Sequence, residues 1–250
     1  MTWDASARVN ELFAESARDC TPAPAHYMAS VLFAPVSRDP EAASSCVSVL
    51  SDAEKRRAQS FLAEGGEARF TQQRAFRRYC GALAVGSGLP LSRIAFEATE
   101  KGRPFLPELP GCWFSFSSCR LGYLGAWSSR HAIGVDIEDQ ARRLEATELA
   151  ESHFSRAEAK AVEDAGERTR MQTFFQLWTL KEAALKSIGE GLPFGLDAFQ
   201  FELDPSIRVV DAPRAYGGPD RFCAYAIEAP GACAALAIRG DGPAHATRVG

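Results

Sequence analysis

The stretch Phe174-Phe175-Gln176-Leu177-Trp178-Thr179-Leu180-Lys181-Glu182-Ala183-Ala184-Leu185-Lys186 decides how the rest of the chain folds around it. It contains neither Gly nor Pro and repeats apolar residues at helical spacing, so it predicts a helix. One stripe of that helix holds Met171, Phe175, Trp178 and Leu185. Because Leu177, Leu180 and Ile188 make the opposite side apolar too, we expect the helix to be buried on both sides.

Glu182 lies in the middle of the predicted stripe, and Lys186 lies beside it, one turn further along. A buried carboxylate is costly unless a cation or a metal ion meets it. The ordinary interpretation is a structural Glu182–Lys186 ion pair at i,i+4 spacing. The alternative is a functional site, and a second acidic segment upstream bears on the choice.

That second segment is His131-Ala132-Ile133-Gly134-Val135-Asp136-Ile137-Glu138-Asp139. Its alternation predicts a strand with Ile133, Val135 and Ile137 on one face and Asp136 and Glu138 on the other. Two carboxylates on one face suit a divalent cation, and without one they repel each other. An edge strand with a solvated acidic face is the alternative interpretation.

Composition limits the class of protein. The 250 residues allow one large or two small domains, and a hydrophobic content of 46% is enough for a core. The net charge of −4 gives no reason to expect nucleic acid or an anionic membrane as a partner. Because we find no apolar run long enough to span a membrane and no signal peptide, and the seven cysteines are scattered, we expect a cytoplasmic protein without zinc.

The remaining elements follow from periodicity and turn residues. Helices are predicted over residues 5–18, from a capping box at Ser51 and Glu54, over 67–85 and within 145–168. Strands are predicted over residues 27–36, 113–118, 121–127, 199–201, 207–210, 222–227 and 232–238, and a further short strand is predicted to start at residues 94–96 and end at the turn 101–104. The helix over 67–85 is strongly basic, which indicates either a solvated basic face or an anion site for phosphates. The sequence does not show which of its arginines point inward.

The two acidic segments together resemble the phosphopantetheinyl transferases of the Sfp type, named for the enzyme that activates surfactin synthetase. That family has a strand G-[IV]-D-x-E, then about forty residues, then a helix W-[ST]-x-K-E-[AS]-x-x-K, and both parts occur here in that order. Gly102-Arg103-Pro104 matches the family's G-K-P or G-R-P turn, and Gly189-Glu190-Gly191-Leu192 matches its G-x-G-L. The resemblance extends from about Ser51 to Phe201.

The resemblance implies a Mg²⁺-dependent transferase, a holo-[acyl-carrier-protein] synthase. Such enzymes move the 4′-phosphopantetheine arm of coenzyme A onto a serine of an apo acyl or peptidyl carrier protein, and they release 3′,5′-ADP. By this likeness Asp136, Glu138 and Glu182 would bind Mg²⁺. Glu182, Lys186 and Asp136 would be catalytic, with Glu182 as candidate general base and Lys186 on the pyrophosphate. Trp178 is expected to pack in the core near the site.

The resemblance also implies coenzyme A contacts in both parts of the chain. Those carried over are Lys55, Thr71, Arg74, Gly102, Arg103, Pro104, Ser117, Ser118, Asp136, Lys181 and Lys186. Ser117 and Ser118 stand where the family has a Ser-His pair whose histidine meets a phosphate of coenzyme A. Because Ser118 carries no charge, we expect a weaker contact, or partial compensation by Arg120 or by an arginine of residues 69–78.

The implied fold is α/β (α+β), with two similar α/β subdomains packed as a pseudo-dimer and the coenzyme A site in the cleft between them. Residues 1–131, including an N-terminal extension 1–25, would contribute coenzyme A contacts, and residues 132–250 would carry the Mg²⁺-binding and catalytic motifs. We expect a monomer. Two rivals remain: another Mg²⁺-dependent phosphoryl-transfer or hydrolytic enzyme, and a non-catalytic or differently specific relative that binds coenzyme A or carrier protein.

Overall fold

The computed structural model describes residues 5–22, 25, 28–86 and 88–240. Its helices are α1 (Ala5–Ser16), α2 (Pro40–Val47), α3 (Asp52–Gln59), α4 (Gly66–Val85), α5 (Ala146–His153), α6 (Arg156–Asp164) and α7 (Glu167–Ser187). Its strands are β1 (Arg18–Asp19), β2 (Ser30–Pro35), β3 (Glu97–Ala98), β4 (Pro104–Phe105), β5 (Trp113–Ser118), β6 (Gly122–Ser128), β7 (Ala132–Asp139), β8 (Gln200–Glu202), β9 (Arg208–Asp211), β10 (Phe222–Ala229) and β11 (Ala232–Arg239). The mixture of helices and strands confirms the predicted α/β class.

The first sheet has the antiparallel order β1-β2-β6-β5. Its centre is the hairpin β5–β6, which the alternation of residues 113–127 predicts, with Phe114 opposite Trp127. Helix α4 covers one face of this sheet, where Phe76 and Cys80 share a buried cluster with Ala34 and Tyr123. The basic helix therefore also has an apolar side that holds it on the sheet.

The second sheet has the antiparallel order β10-β11-β7, and α7 lies across it. Ala183 and Leu185 of α7 belong to the same buried cluster as Ala235 and Ala237 of β11. Residues 174–187 of α7 are buried over most of their length, which confirms that the helix is enclosed on both sides. Small alanines on β11 let the helix lie close to the sheet.

The two sheets pack face to face, so the layers run helix, sheet, sheet, helix. Ile133, Val135 and Ile137 of β7 share one apolar cluster with Val31 and with residues of β6 and β11. The opposite face of β7 meets α7, and this is the face that carries Asp136 and Glu138. The predicted split of faces along this strand is confirmed, while the division of the chain into halves at residue 131 stays a prediction.

Several boundaries differ from the sequence-based expectation. The short strand predicted before the Gly102 turn is present, but it begins at Glu97 rather than at residues 94–96, because Ile94 is buried beside Leu106 without strand pairing. The predicted N-terminal helix ends at Ser16, since Arg18 pairs with Phe33 on β2. The predicted start of β2 at residue 27 lies outside the described residues. The described part of the chain has no helix that is both long enough and apolar enough to cross a membrane.

Candidate active site

The site begins with a close approach between β7 and α7 at Gly134. A Cβ atom at this residue would lie 2.0 Å from the Ala183 carbonyl oxygen and 2.6 Å from the Ser187 backbone nitrogen. Any side chain would therefore push the helix off the strand. Glycine at this one position allows the carboxylates of β7 to meet the last turns of α7.

Asp136 is the centre of the resulting cluster. Lys186 Nζ donates to Asp136 Oδ1 at 2.7 Å and to the Val135 carbonyl oxygen at 3.1 Å. Ser117 Oγ on β5 donates to the same Oδ1 at 2.8 Å, so both sheets contribute to the contact. Lys186 thus pairs with Asp136 rather than with Glu182, and the simple i,i+4 ion-pair interpretation is wrong.

Three carboxylates share this region, and their charges oppose one another. Burial raises the pKa of Glu182, and the charges of Asp136 and Glu138 raise it further, against the effect of Lys186. Burial and the charge of Asp136 also raise the pKa of Glu138, although Arg142 contacts its Oε2 at 3.3 Å. Asp136 is itself buried, so the solvated acidic edge considered for this strand is wrong.

The donor set fits a hard divalent cation. Asp136 Oδ2 is buried and has no hydrogen-bond partner, which leaves a carboxylate oxygen free for a ligand. Mg²⁺ prefers carboxylate oxygens of this kind, and a cation would relieve the repulsion between the three acids. Among the described residues, however, no three His, Cys, Asp or Glu side chains form a ready-made metal cluster. The three acids are nevertheless close enough that, after burial, the charge of Asp136 raises the pKa of both Glu138 and Glu182.

A pocket extends from this cluster and joins several segments that the sequence singled out. It is lined by Arg77, Lys101, Gly102, Arg103, Pro104, Phe114, Ser115, Phe116, Lys186, Gly189 and Glu190. The Gly102-Arg103-Pro104 turn and Lys186, which are far apart in the sequence, thus face the same space. Four of the lining side chains are cations, so the pocket favours an anionic ligand.

Three arginines of α4, Arg74, Arg77 and Arg78, divide into two groups. Arg78 makes a bidentate pair with Glu54, with Nη1–Oε1 at 3.1 Å and Nη2–Oε2 at 2.6 Å, and Arg74 Nε lies 3.8 Å from the same carboxylate. Arg77 instead lines the pocket, with its guanidinium 5.1 Å from the Phe116 ring centroid. Burial, and then the charge of Arg74, lower the pKa of Arg77 to about 10, so the group remains cationic at neutral pH.

Other predicted coenzyme contacts lie outside the walls of this pocket. Lys55 is on α3, 3.7 Å from Asp52, and Thr71 is buried on α4 with no hydrogen-bond partner for its hydroxyl. Ser118 Oγ accepts a hydrogen bond from Gln73 Nε2 at 2.8 Å. Arg120, considered as a substitute for the missing histidine, pairs with Asp139 at 2.8 Å.

The prediction that Lys181 binds the coenzyme does not agree with its environment. Its ammonium group is 0% exposed and lies 2.8 Å from Glu158, which is 2% exposed. It also donates to the carbonyl oxygens of Leu196 and Phe199. Because all its protons are directed into the protein, we assign Lys181 a structural role. Trp178 is partly buried and packs against the core, with 5.6 Å between its ring centroid and that of Phe174.

Sequence reasoning missed three contributors to these contacts. Glu158 is the N3 residue of a capping box that starts at Ser155, and this signal for the start of α6 is present in the sequence. Arg77 was recognised only as one of several basic residues. Glu190, which pairs with Lys101 across the pocket, carried no local signal, because the two residues are 89 positions apart.

Together these features define the class of protein. Mutually repelling carboxylates, a lysine among them and a cation-lined pocket are typical of enzymes that transfer phosphate-containing groups. The site lies where the two sheets meet, with β5 supplying Ser117 and β7 supplying Asp136. The site thus has the features of a group-transfer site for an anionic substrate.

Comparison with known proteins identifies the family of transferases to which the chain is related. The profile of the 4′-phosphopantetheinyl transferase superfamily matches residues 132–228. The 4′-phosphopantetheinyl transferase ffp of Bacillus subtilis is 32% identical over 157 residues, which cover 62% of this chain and 68% of that protein. Sfp of Bacillus subtilis strain 168 is 29% identical over 162 residues, 64% and 70% of the two chains. HetI of Nostoc sp. strain PCC 7120 is 28% identical over 160 residues, 63% and 66%. The chain belongs to the 4′-phosphopantetheinyl transferase superfamily and is a transferase.

Proposed function

We propose that this enzyme transfers the 4′-phosphopantetheine arm of coenzyme A to a serine of an apo acyl or peptidyl carrier protein. The observation that carries the proposal is the contact of Lys186 with Asp136 at the end of a pocket whose other wall is the Gly102-Arg103-Pro104 turn. Lys186 thus connects an acidic cluster for the reacting serine to a neighbouring pocket with cations for a diphosphate. We also propose that the enzyme acts as a monomer.

The cations of the pocket would hold the pyrophosphate of coenzyme A. Lys186, Arg103 and Arg77 face the same space, and charge-assisted hydrogen bonds to phosphate oxygens are strong. Of the three, Lys186 is the one that contacts a carboxylate of the cluster, so it would bind oxygens of the phosphate group that reacts. Arg103 and Arg77 would hold the 3′,5′-ADP part, which departs as the leaving group.

Glu182 would take the proton of the attacking serine. In the proposed reaction the serine oxygen forms a bond to the phosphorus that carries the pantetheine arm, and the bond from that phosphorus to the bridging oxygen breaks. The serine proton moves to Glu182, and 3′,5′-ADP leaves with the electron pair. Glu182 is buried beside Asp136 and Lys186, and a positioned carboxylate is a common general base in enzymes.

The three acids would hold Mg²⁺. Asp136, with its free buried Oδ2, and Glu138 and Glu182 beside it are the residues that fit this cation. When bound, Mg²⁺ supplies positive charge that offsets the charge developing on the phosphate oxygens. Ser117 and Lys186 would keep Asp136 oriented for this contact through their hydrogen bonds to its Oδ1.

Mass spectrometry of a carrier protein tests the proposal. An apo carrier incubated with this enzyme, coenzyme A and Mg²⁺ should gain the mass of one phosphopantetheine arm, with one 3′,5′-ADP released per arm. EDTA should abolish the gain. Release of phosphate or pantetheine products without carrier modification would favour a hydrolytic enzyme. Tight coenzyme A binding without any modification of several carriers would favour a non-catalytic relative.

A further inference from the structure

Glu190 joins three segments at the mouth of the pocket. Its Oε1 accepts hydrogen bonds from the Lys101 ammonium group and, at 2.8 Å, from the Tyr216 hydroxyl. Lys101 lies in the turn between β3 and β4, Glu190 follows α7, and Tyr216 ends a short 3₁₀ turn before β10. One carboxylate therefore links the turn that carries Arg103 to the part of the chain that carries α7.

The turn that carries Arg103 has little support of its own. It connects two strands of two residues each, paired at Glu97–Phe105 and Ala98–Pro104. It is closed by hydrogen bonds from Thr99 N to Arg103 O (2.9 Å) and from Gly102 N to Thr99 O (2.8 Å). Two-stranded ribbons are marginally stable by themselves, so external contacts decide where such a turn lies.

The negative charge of Glu190 matters for Arg103 because Arg103 lies among other cations. The Arg103 guanidinium lies 3.8 Å from the Trp113 ring centroid. Burial, and then the positive charge of Arg239, lower the pKa of Arg103. Arg239 itself lies over the Tyr216 ring at 5.5 Å. Among the described residues lining the pocket, Glu190 is the only acid, and it offsets this excess of positive charge.

We infer that Glu190 is a positioning residue for coenzyme A. It holds the Lys101-Gly102-Arg103 turn against the segment after α7, and so keeps Arg103 directed toward the nucleotide end of the coenzyme. Glu190 acts through Lys101 and does not bind the coenzyme, since its carboxylate would repel the phosphates. This inference rests on the proposed function, because it assumes that coenzyme A occupies the pocket.

A double-mutant cycle, read out as coenzyme A affinity, tests the inference. Calorimetry compares the unaltered protein with Glu190→Ala, Lys101→Ala and the double variant. We expect Glu190→Ala to weaken binding about threefold to tenfold, and the double variant to be no weaker than the weaker single variant. At saturating coenzyme A the turnover rate of Glu190→Ala should stay within about twofold of that of the unaltered protein, because the lost contact affects coenzyme binding and not the reaction step.

Two further variants separate positioning from general stability. Lys160→Ala breaks the exposed Lys160–Asp164 pair on α6 and should leave coenzyme A affinity unchanged. Tyr216→Phe removes only the hydroxyl that donates to Glu190 and keeps the ring packed against Phe194 at 6.1 Å. Tyr216→Phe should also weaken coenzyme A binding, as Glu190→Ala does. It serves as the test if the alanine variant does not fold.

The outcomes distinguish this inference from the proposed function. If the unaltered protein binds no coenzyme A, the proposed function fails, and the inference fails with it. If the unaltered protein binds coenzyme A and the Glu190→Ala and Tyr216→Phe variants bind it equally well or more tightly, only the inference is overturned. The reversed pair Lys101→Glu with Glu190→Lys should recover at least part of the affinity lost in each single reversal.

Discussion

Gly134 on β7 and Ala183 on α7 are so close that a methyl group at residue 134 would lie 2.0 Å from the Ala183 carbonyl oxygen. We therefore expect Gly134→Ala to lower the free energy of unfolding by about 3 kcal/mol, at the upper end of the cost of overpacking. Urea unfolding measures this. Gly191→Ala is the matched control, because its new Cβ would make an ordinary contact with Pro193 Cδ at 3.6 Å. Equal stability of the two variants would contradict the close approach.

Lys181 should contribute to stability rather than to coenzyme binding. Replacing it with Met leaves Glu158 as a buried charge without its cation, which costs about 3–5 kcal/mol. Urea unfolding should show this loss. Lys160→Met, which breaks an exposed ion pair of 2.9 Å, should change stability by less than about 1 kcal/mol. If folded Lys181→Met instead keeps its stability and loses coenzyme A affinity, the structural assignment is wrong.

Arg77 and Arg78 are neighbours in sequence, but replacing Arg77 should affect coenzyme A binding and replacing Arg78 should affect stability. Arg77 lines the pocket, so Arg77→Met should weaken coenzyme A binding about tenfold with little change in stability. Arg78 is 7% exposed and paired with Glu54, so Arg78→Met should cost about 1.5–3 kcal/mol of stability. Calorimetric binding and urea unfolding of both variants check the two expectations. The reverse pattern would mean that α4 is rotated relative to the pocket.

Ser118 should affect the preference for coenzyme A over dephospho-coenzyme A. If its hydroxyl, which accepts from Gln73 at 2.8 Å, donates to the 3′-phosphate, Ser118→Ala should weaken coenzyme A binding about threefold to tenfold. Binding of the dephospho form should not change. Ser152→Ala, on the exposed surface of α5, is the control. A strong preference for coenzyme A that survives Ser118→Ala would exclude Ser118 from phosphate binding.

The acidic cluster was predictable because each part has a strong local pattern. The alternation of Ile133, Val135 and Ile137 places Asp136 and Glu138 on the other face of one strand, and helical spacing places Glu182 and Lys186 one turn apart. Both patterns depend only on backbone geometry. The structure adds that Lys186 pairs with Asp136, a contact between residues 50 positions apart.

Local sequence patterns do not predict which side chains line the pocket. Whether Arg77 or Arg78 faces inward depends on how α4 is rotated on its sheet, and tertiary packing sets that rotation. The Lys101–Glu190 contact joins two turns that are far apart in the sequence, and neither turn has a local pattern that predicts how close they come in the fold. Lys181 was misplaced because its partner Glu158 lies on another helix, although the capping box at Ser155 marked the start of that helix.

The central claim is that Asp136, Glu182 and Lys186 act as one catalytic cluster. The most direct test is the initial rate at which an apo carrier protein gains phosphopantetheine mass with the Glu182→Gln variant. We predict a loss of at least about a hundredfold, because the general base is removed, while stability is kept or increased because a repelling charge is lost. Glu163→Gln, on the exposed face of α6, should transfer at the normal rate. A folded Glu182→Gln variant that transfers as fast as this control would contradict the account.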